Sequence, residues 1–422
     1  MSVESYFQRF GFCERQIQTS PSPDLGLAVV VPCFNEPDVI GCLESLWRCE
    51  RPGCAVEIIL VINSSETSPS EVLAQNQATL AEARRWRGAH ADARLAFEVL
   101  HFPALPRKRA GVGLARKIGM DEALYRFADV SRLDGVIACY DADCGCEQNY
   151  LTAVEGHFQR HPGTPGCSIY FEHALDGPLP RAVYEAVAAY ELHLRYYVQA
   201  LRYAAFPHAH HTVGSCLAIR AGVYQKQGGM NRRQAGEDFY FLQKVIPLGG
   251  FTDLTETTVY PSPRGSNRVP FGTGKAVQDH LHGAASSTYP LEAFLELKEL
   301  FALLPELRGP TAGAARERLK SLPEAVRRFL ESQDFEAALA EVRENTATDA
   351  AYRKRVFHWC DGFRVMKFIH YARDNYYGER PVEREALRLL DLVTKRDASI
   401  RAWATGDILA AYRRIERRGT WA

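Results

Sequence analysis

The chain has 422 residues, of which 46% are hydrophobic and 24% are charged, as in an ordinary globular protein. Its 51 basic and 51 acidic residues balance, which argues against a broad basic surface of the kind that binds nucleic acid. None of the 11 cysteines forms a Cys-x-x-Cys motif, no apolar run is long enough to span a bilayer, and the first residues lack a secretory signal. We therefore expect a reduced, cytoplasmic protein with at most peripheral contact with a membrane surface.

Strands and helices alternate in the first third of the chain. Apolar runs predict strands at residues 27–31, 55–62, 95–102 and 135–140. Amphipathic or capped segments between these strands predict three helices. The first covers residues 38–48, the second begins near residue 70, and the third ends near residue 129. Such alternation with short connections is typical of a parallel, doubly wound sheet.

The pattern changes after residue 143. It predicts a helix at 148–160, a strand at 166–171, a long helix at 180–206, strands at 212–220 and 255–260, and a helix beginning near 236. From about residue 291 the pattern is helical almost to the end. We place a domain boundary near residue 285.

Two carboxylates, Asp141 and Asp143, follow directly after the apolar run that begins at Gly135. The strand would deliver them to the carboxyl edge of the sheet, where open α/β sheets bind ligands. Two carboxylates one residue apart need a counter-charge, and a hard divalent cation that keeps positions open for phosphate oxygens is the natural one.

A glycine-containing basic loop is predicted after the last strand. Three cations and three glycines alternate between residues 264 and 275: Arg264, Gly265, Arg268, Gly272, Gly274 and Lys275. The cations can donate charge-assisted hydrogen bonds to phosphate oxygens. We expect this loop to act as a lid over an anionic ligand.

Five segments occur in an order that points to a family. They are Val31 to Glu36, Gly113 to Arg116, Asp141 to Asp143, Gly228-Gly229 and Glu237-Asp238. Over roughly residues 27–265 they resemble a family 2-like glycosyltransferase of the GT-A fold. The resemblance implies an α/β protein with a Rossmann-like mixed sheet flanked by helices, followed by a helical C-terminal region. It also implies a GT-A catalytic domain over 1–285, with a nucleotide-sugar half at about 27–143 and an acceptor half at about 144–285, and a helical domain over 286–422.

The resemblance implies roles for individual residues. The donor would be bound by Pro32, Asn35, Glu36, Asn63, Arg116, Asp141, Arg264 and Arg268. Asp141 and Asp143 would hold Mn²⁺ or Mg²⁺ on the diphosphate of a UDP- or GDP-sugar, and His280 is a candidate third ligand by chain position. The pair Glu237 and Asp238 would supply the catalytic base. We favour Asp238, because a helix start offers free N–H groups that keep a carboxylate ionised.

These features predict a metal-dependent enzyme of the hexosyltransferase type. It would move a single sugar rather than build a polymer, since the Gln-x-x-Arg-Trp signature of processive members is missing. The acceptor would be an unknown hydroxyl, and the transfer would proceed with inversion. The family commonly has acidic residues where this chain has Asn63-Ser64-Ser65, so the identity of the donor nucleotide is left undetermined. The helical C-terminal region would cover the acceptor site or mediate homo-oligomerisation.

Three alternatives remain. A retaining glycosyltransferase could use the same fold. A sugar-nucleotide nucleotidyltransferase usually has a glycine-rich loop after its first strand, and residues 32–37 contain no glycine. A non-catalytic nucleotide-sugar-binding scaffold would not need Asp141, Asp143 and Asp238 together.

Overall fold

The computed structural model describes residues 1–266, 272–394 and 403–419. The strands of these residues are β1 Leu25–Cys33, β2 Ala55–Ser65, β3 Leu95–Leu105, β4 Val136–Cys139, β5 Gly145–Cys146, β6 Gly166–Phe171, β7 Leu217–Arg220, β8 Thr252–Tyr260, β9 Ser287–Thr288 and β10 Arg380–Pro381. The α-helices are α1 Val3–Phe10, α2 Val39–Trp47, α3 Ser70–Ala89, α4 Val112–Asp129, α5 Tyr150–Arg160, α6 Arg181–Tyr203, α7 Ala221–Lys226, α8 Glu237–Val245, α9 Thr273–Leu281, α10 Leu291–Leu303, α11 Ala312–Lys320, α12 Glu324–Ser332, α13 Phe335–Glu344, α14 Asp349–Trp359, α15 Gly362–Ala372, α16 Val382–Thr394 and α17 Thr405–Arg418.

The chain divides into two compact units. The first comprises residues 1–177 and 212–275, and the second comprises residues 178–211 and 276–422. The second unit therefore takes α6 from the middle of the chain and joins it to the C-terminal helices. The domain boundary expected near residue 285 falls inside the second unit, and the assignment of catalytic halves stays a prediction.

The first unit is built on an eight-stranded mixed sheet in the order β3-β2-β1-β4-β7-β6-β8-β5. The strands β3, β2, β1 and β4 are parallel neighbours. The strand β7 then pairs antiparallel with both β4 and β6. The strand β8 runs parallel to β6 and antiparallel to the short β5. The predicted mixed α/β sheet flanked by helices is thus confirmed, and its parallel part is the strand–helix alternation of the first third.

The parallel strands explain where the polar side chains gather. The strands β1 and β2 are apolar and buried along almost their whole length, as expected for strands covered on both faces. In the register of the sheet, Val29 lies opposite both Ile58 and Ala138. The carboxyl ends of these strands consequently meet at one edge, where ligands of open α/β sheets bind.

Close packing of α4 on the sheet depends on a glycine. A Cβ atom at Gly119 would lie 2.3 Å from the Cγ1 atom of Val30 and 3.1 Å from the Cγ2 atom of Val61. Both neighbours are β-branched and stiff, so they cannot move aside at low cost. The helix can therefore approach β1 closely only because position 119 has no side chain.

Charged residues of α4 are buried but paired. The Arg126 guanidinium donates to both carboxylate oxygens of Glu57, with distances of 2.7 and 2.6 Å. The Asp121 carboxylate accepts hydrogen bonds from the hydroxyls of Tyr6, at 2.6 Å, and Tyr224, at 2.7 Å. Buried charges are tolerated when they are paired in this way, and the Tyr6 contact fastens the N-terminal helix α1 to α4.

The described residues of the second unit are helical apart from the small β9–β10 pair, and they contain a buried charged cluster where α6 meets α17. The Arg195 guanidinium contacts Glu191 at 2.8 Å and also Glu416. The Glu416 carboxylate accepts a hydrogen bond from the ring Nε2 of His211 at 2.9 Å. Burial opposes ionisation of Glu416, but the charges of Arg195 and His211 outweigh it and lower the pKa of Glu416 to about 2.

Among the helices of the described residues, none is long and apolar enough to cross a bilayer.

Candidate active site

A tight turn presents the Asp-x-Asp motif. The Tyr140 N–H donates to the Val30 carbonyl at 3.0 Å, which extends the pairing of β4 with β1 past the end of the strand. The Cys144 N–H then donates to the Asp141 carbonyl at 3.0 Å and closes the turn. Asp141 and Asp143 are both partly exposed at this edge. Their carboxylates can thus reach a ligand while the backbone that carries them is fixed by the sheet.

Arg116 is the centre of the polar cluster. Its guanidinium is almost fully buried, donates from Nη2 to the Asp141 Oδ1 at 2.7 Å, and contacts the Glu237 carboxylate through Nη1. Burial by itself would lower the pKa of Arg116. The negative charges of Asp141 and Asp238 outweigh this effect, and the pKa of Arg116 is raised. A Cβ atom at Gly214 would lie 2.9 Å from the guanidinium nitrogens, so that glycine leaves room for the side chain.

The acidic pair Glu237 and Asp238 begins helix α8, directly after Gly236 in the left-handed conformation at φ 71°. Glu237 is buried and ion-paired with Arg116. The Asp238 Oδ1 accepts from the Phe239 N–H at 2.7 Å, so this carboxylate satisfies one of the free N–H groups of the helix start. Burial raises the pKa of Asp238, although the charge of Arg116 opposes the shift. A carboxylate with a raised pKa beside a ligand-binding edge is a candidate proton acceptor.

A second arginine bridges two carboxylates of the same unit. The Arg264 Nη2 atom contacts the Glu36 Oε2 atom and lies 3.3 Å from the Asp143 Oδ2 atom. The other Glu36 oxygen accepts from the Asp38 N–H at 3.0 Å. Glu36 is buried, whereas Arg264 is half-buried. The structure therefore brings together the ends of β1 and β4 and the segment that follows β8.

The ends of β1 and β2 are joined by a residue that we did not predict. The Asn76 side chain on α3 accepts from the Asn35 N–H at 2.9 Å and donates to the Asn63 carbonyl at 2.8 Å. Pro32 lies in β1, opposite Val61 of β2, and is buried. One feature of the sequence could have pointed to Asn76. It lies four residues before Leu80, on the apolar face of an otherwise polar helix.

Two predicted site residues lie elsewhere. Arg268 belongs to residues 267–271, outside the described part of the chain, so the middle of the expected lid is not described. His280 lies on α9 in the second unit, where its Nδ1 atom is 3.0 Å from the Ser286 hydroxyl. Within residues 1–266, 272–394 and 403–419, no group of three histidine, cysteine, aspartate or glutamate residues is arranged to hold a metal ion. The metal-binding assignments thus remain predictions.

Comparisons with known proteins address the family. Residues 28–228 match the sequence model of Glycosyl transferase family 2. No curated protein sequence matches the chain. Among solved structures, the chain is similar to Staphylococcus aureus TarS 1–349 in complex with UDP-GlcNAc, at 15% identity over 94% of this chain and 93% of that chain, with a TM-score of 0.40. It is also similar to the mannosyltransferase PcManGT of Pyrobaculum calidifontis in complex with GDP-Man and Mn²⁺, at 15% identity over 89% and 92%, with a TM-score of 0.34.

The family match covers most, but not all, of the segments that build the site. It begins in β1, includes Arg116 on α4 and the turn of Asp141 and Asp143, and ends before Glu237. The mixed sheet has the arrangement that the sequence resemblance implies. Residues 28–228 therefore match a glycosyltransferase family 2 domain, and this match together with the mixed sheet supports a glycosyltransferase of the GT-A fold.

Proposed function

We propose that the protein transfers a single sugar from a nucleoside diphosphate sugar to an acceptor hydroxyl, in a divalent-metal-dependent reaction that inverts the anomeric carbon. The observation that carries the proposal is the double ion pair of Arg116. One guanidinium contacts Asp141, of the proposed donor site, and Glu237, of the proposed base pair. The groups that a transferase needs on the donor side and on the acceptor side are thereby neighbours.

The residues present fit a divalent cation. Asp141 and Asp143 offer carboxylate oxygens, the ligands that Mg²⁺ and Mn²⁺ prefer, and protein sites for Mg²⁺ commonly use one or two carboxylates with substrate phosphates completing the shell. The Arg264 guanidinium lies beside Asp143 and supplies positive charge there. We assign Asp141 and Asp143 to the metal. When bound, the metal would neutralise charge on the departing diphosphate.

The donor and acceptor steps can be assigned to residues of this chain. The Arg264 guanidinium would donate hydrogen bonds to the diphosphate oxygens, as guanidinium groups commonly do. Asp238 would take the proton of the acceptor hydroxyl while its oxygen attacks the anomeric carbon and the diphosphate leaves. We assign Arg116 to the donor site through Asp141, since its two terminal nitrogens already contact carboxylates.

Some assignments depend on sequence alone. We retain Pro32, Asn35, Glu36 and Asn63 as the donor-binding strand ends, and the unpaired Oδ1 atom of buried Asn63 is a candidate acceptor for the nucleotide. The choice between a UDP- and a GDP-sugar, the acceptor, and a homo-oligomer are left to experiment. The cytoplasmic location inferred from the cysteines stays a prediction.

The test is release of nucleoside diphosphate from a panel of UDP-, GDP- and TDP-sugars. We expect turnover with Mn²⁺, none with EDTA, and a loss in Asp143→Asn. The matched control is Asp134→Asn, which changes an exposed aspartate paired with Arg132. Release that persists in EDTA and in Asp143→Asn would contradict the metal assignment. Release of pyrophosphate from a nucleoside triphosphate and a sugar phosphate would instead indicate a nucleotidyltransferase.

A further inference from the structure

Two cysteines far apart in the chain lie next to each other in the first unit. The Sγ atoms of Cys49 and Cys146 are 3.6 Å apart, although 97 residues separate them in sequence. Both are reduced in the structure. A disulfide needs an S–S distance of about 2.05 Å, so closing this pair requires the two sulfurs to approach by about 1.5 Å.

The surroundings of Cys146 favour its thiolate. The Ser45 hydroxyl lies 3.5 Å from the Cys146 sulfur and also accepts the Cys146 N–H at 2.9 Å. Hydrogen bonds from Cys49 and Ser45 lower the pKa of Cys146, although burial opposes the shift. The residue is partly exposed, while Cys49 is buried. Of the two residues, Cys146 is the partly exposed one and carries the stabilised sulfur, so we assign it as the attacking thiol and Cys49 as the resolving one.

The pair joins two segments that lead to the proposed donor site. Cys49 follows the end of helix α2, which starts shortly after Glu36. Cys146 lies in β5, three residues after Asp143, and pairs with Val259 of β8. A bond between the two sulfurs would tie α2 to the backbone immediately behind the Asp-x-Asp turn.

We propose that Cys49 and Cys146 form a redox modification site that closes reversibly into a disulfide by exchange with a low-molecular-weight disulfide. The Cys146 thiolate attacks one sulfur of the oxidant, which releases one thiol and leaves a mixed disulfide on the protein. The Cys49 sulfur, having lost its proton, then attacks the Cys146 sulfur and releases the second thiol. The two protein thiols lose two protons and two electrons, and the oxidant is reduced to two thiols. Disulfides in reducing compartments are typically of this transient, sensing kind.

The proposal is independent of the assigned transferase reaction and is tested by mass spectrometry of the folded, full-length protein. The protein is equilibrated with mixtures of reduced and oxidised glutathione, alkylated, digested with trypsin and mapped. We expect a cross-link between the peptide of residues 49–84, which holds Cys49 and Cys54, and the peptide of residues 133–160. Fragmentation should place the bond on Cys49 rather than Cys54, and on Cys146 rather than Cys139 or Cys144. Dithiothreitol should remove it.

Two variants sharpen the result. In Cys49→Ser, we expect Cys146 to stop at the mixed disulfide with glutathione, because the resolving sulfur is gone. In Cys42→Ser, which changes another buried cysteine of α2, the cross-link should form as in the wild type. Circular dichroism of each sample checks that the fold is intact. The proposal is wrong if the folded wild type shows no Cys49–Cys146 peptide across the glutathione range, or if other cysteine pairs form in preference.

Discussion

Each of two arginines in the first unit holds two carboxylates. The contacts are Arg116 with Asp141 and Glu237, and Arg264 with Glu36 and Asp143. Carboxylates so close to one another would repel without these cations. For the buried members, Glu36 and Glu237, removal of the arginine partner typically costs several kcal/mol. Because Glu237 is ion-paired with Arg116, we assign proton transfer to Asp238, the other member of the acidic pair.

We predict that Asp238→Asn lowers transfer by roughly 10²-fold or more, the usual value of a general base. Binding of nucleoside diphosphate with Mn²⁺ should survive, because the amide oxygen can still accept the Phe239 N–H. Steady-state kinetics and calorimetry measure the two effects. Near-normal transfer would exclude Asp238 as the base.

The pH profile gives a second check on Asp238. Because burial raises its pKa, we expect kcat/KM to fall on the acid side through a pKa above the ordinary aspartate value of 3.8. Only the ionised carboxylate can accept the proton, so activity must rise with pH through this pKa. The profile of Asp238→Asn should lack this limb, and NMR of the product should show an inverted anomeric configuration. Retention of configuration would contradict the mechanism.

We predict that Arg264→Met binds Mn²⁺ alone about tenfold more tightly, which corresponds to about 1.4 kcal/mol. In the wild type the guanidinium already neutralises Glu36 and Asp143, and an incoming cation has to compete with it. Calorimetry without nucleotide measures the affinity. Arg160→Met, which removes an exposed arginine paired with Glu256, is the control and should leave it unchanged. Weaker or equal binding by Arg264→Met would argue against competition.

At the scale of elements, the site depends on how helices and strand ends approach one another. Helix α4 carries Arg116 near its start and packs on β1 through Gly119. Helix α3 joins β1 to β2 through the Asn76 amide. A change in either contact would shift the strand ends that carry the proposed donor groups.

We predict that Gly119→Ala destabilises the protein by about 1–3 kcal/mol, the usual cost of overpacking a core. The new Cβ atom would lie 2.3 Å from the Val30 side chain, and the helix would have to move away from β1. Gly88→Ala on α3 is the matched control, since a Cβ atom there meets nothing within 4 Å. Its better helix propensity should leave stability equal or slightly higher. Urea denaturation measures both, and equal midpoints for the two variants would contradict the packing argument.

At the scale of the whole molecule, the second unit is closed by residues from opposite ends of its sequence. Arg195 and Glu416 are 221 residues apart and are in contact inside it, beside His211. The cluster joins α6 to α17 through charges that burial would otherwise make costly.

We predict that Glu416→Gln lowers stability at neutral pH by about 3 kcal/mol, because it leaves the Arg195 charge with one carboxylate fewer. The pKa of Glu416 is lowered from 4.5 to about 2. Its contribution is therefore complete above pH 4.5 and is lost as the pH falls toward 2. Urea denaturation at pH 6 and pH 3.5 should show a smaller loss of stability for the variant than for the wild type. Equal losses would contradict the assignment.

The sequence by itself determined the strand–helix alternation, and the family that its motifs resemble implied the mixed GT-A sheet. Apolar runs and periodicity are local signals, and the Asp-x-Asp motif stands directly after such a run. The order of the five segments carried the resemblance, which the family match over residues 28–228 supports. Because each apolar run and each of the five segments is a short stretch, and their order is read along the chain, no knowledge of long-range contacts was needed.

Only the tertiary structure decided which side chains meet. Arg116 contacts Glu237 across 121 residues, and Cys49 lies beside Cys146 across 97 residues. Neither pairing has a local signature, since it depends on strand register and on how closely helices pack on the sheet. The grouping of α6 with the C-terminal helices likewise follows from buried contacts of distant segments. Contacts of this kind depend on the three-dimensional arrangement of many residues at once, which residue spacing along the chain does not contain.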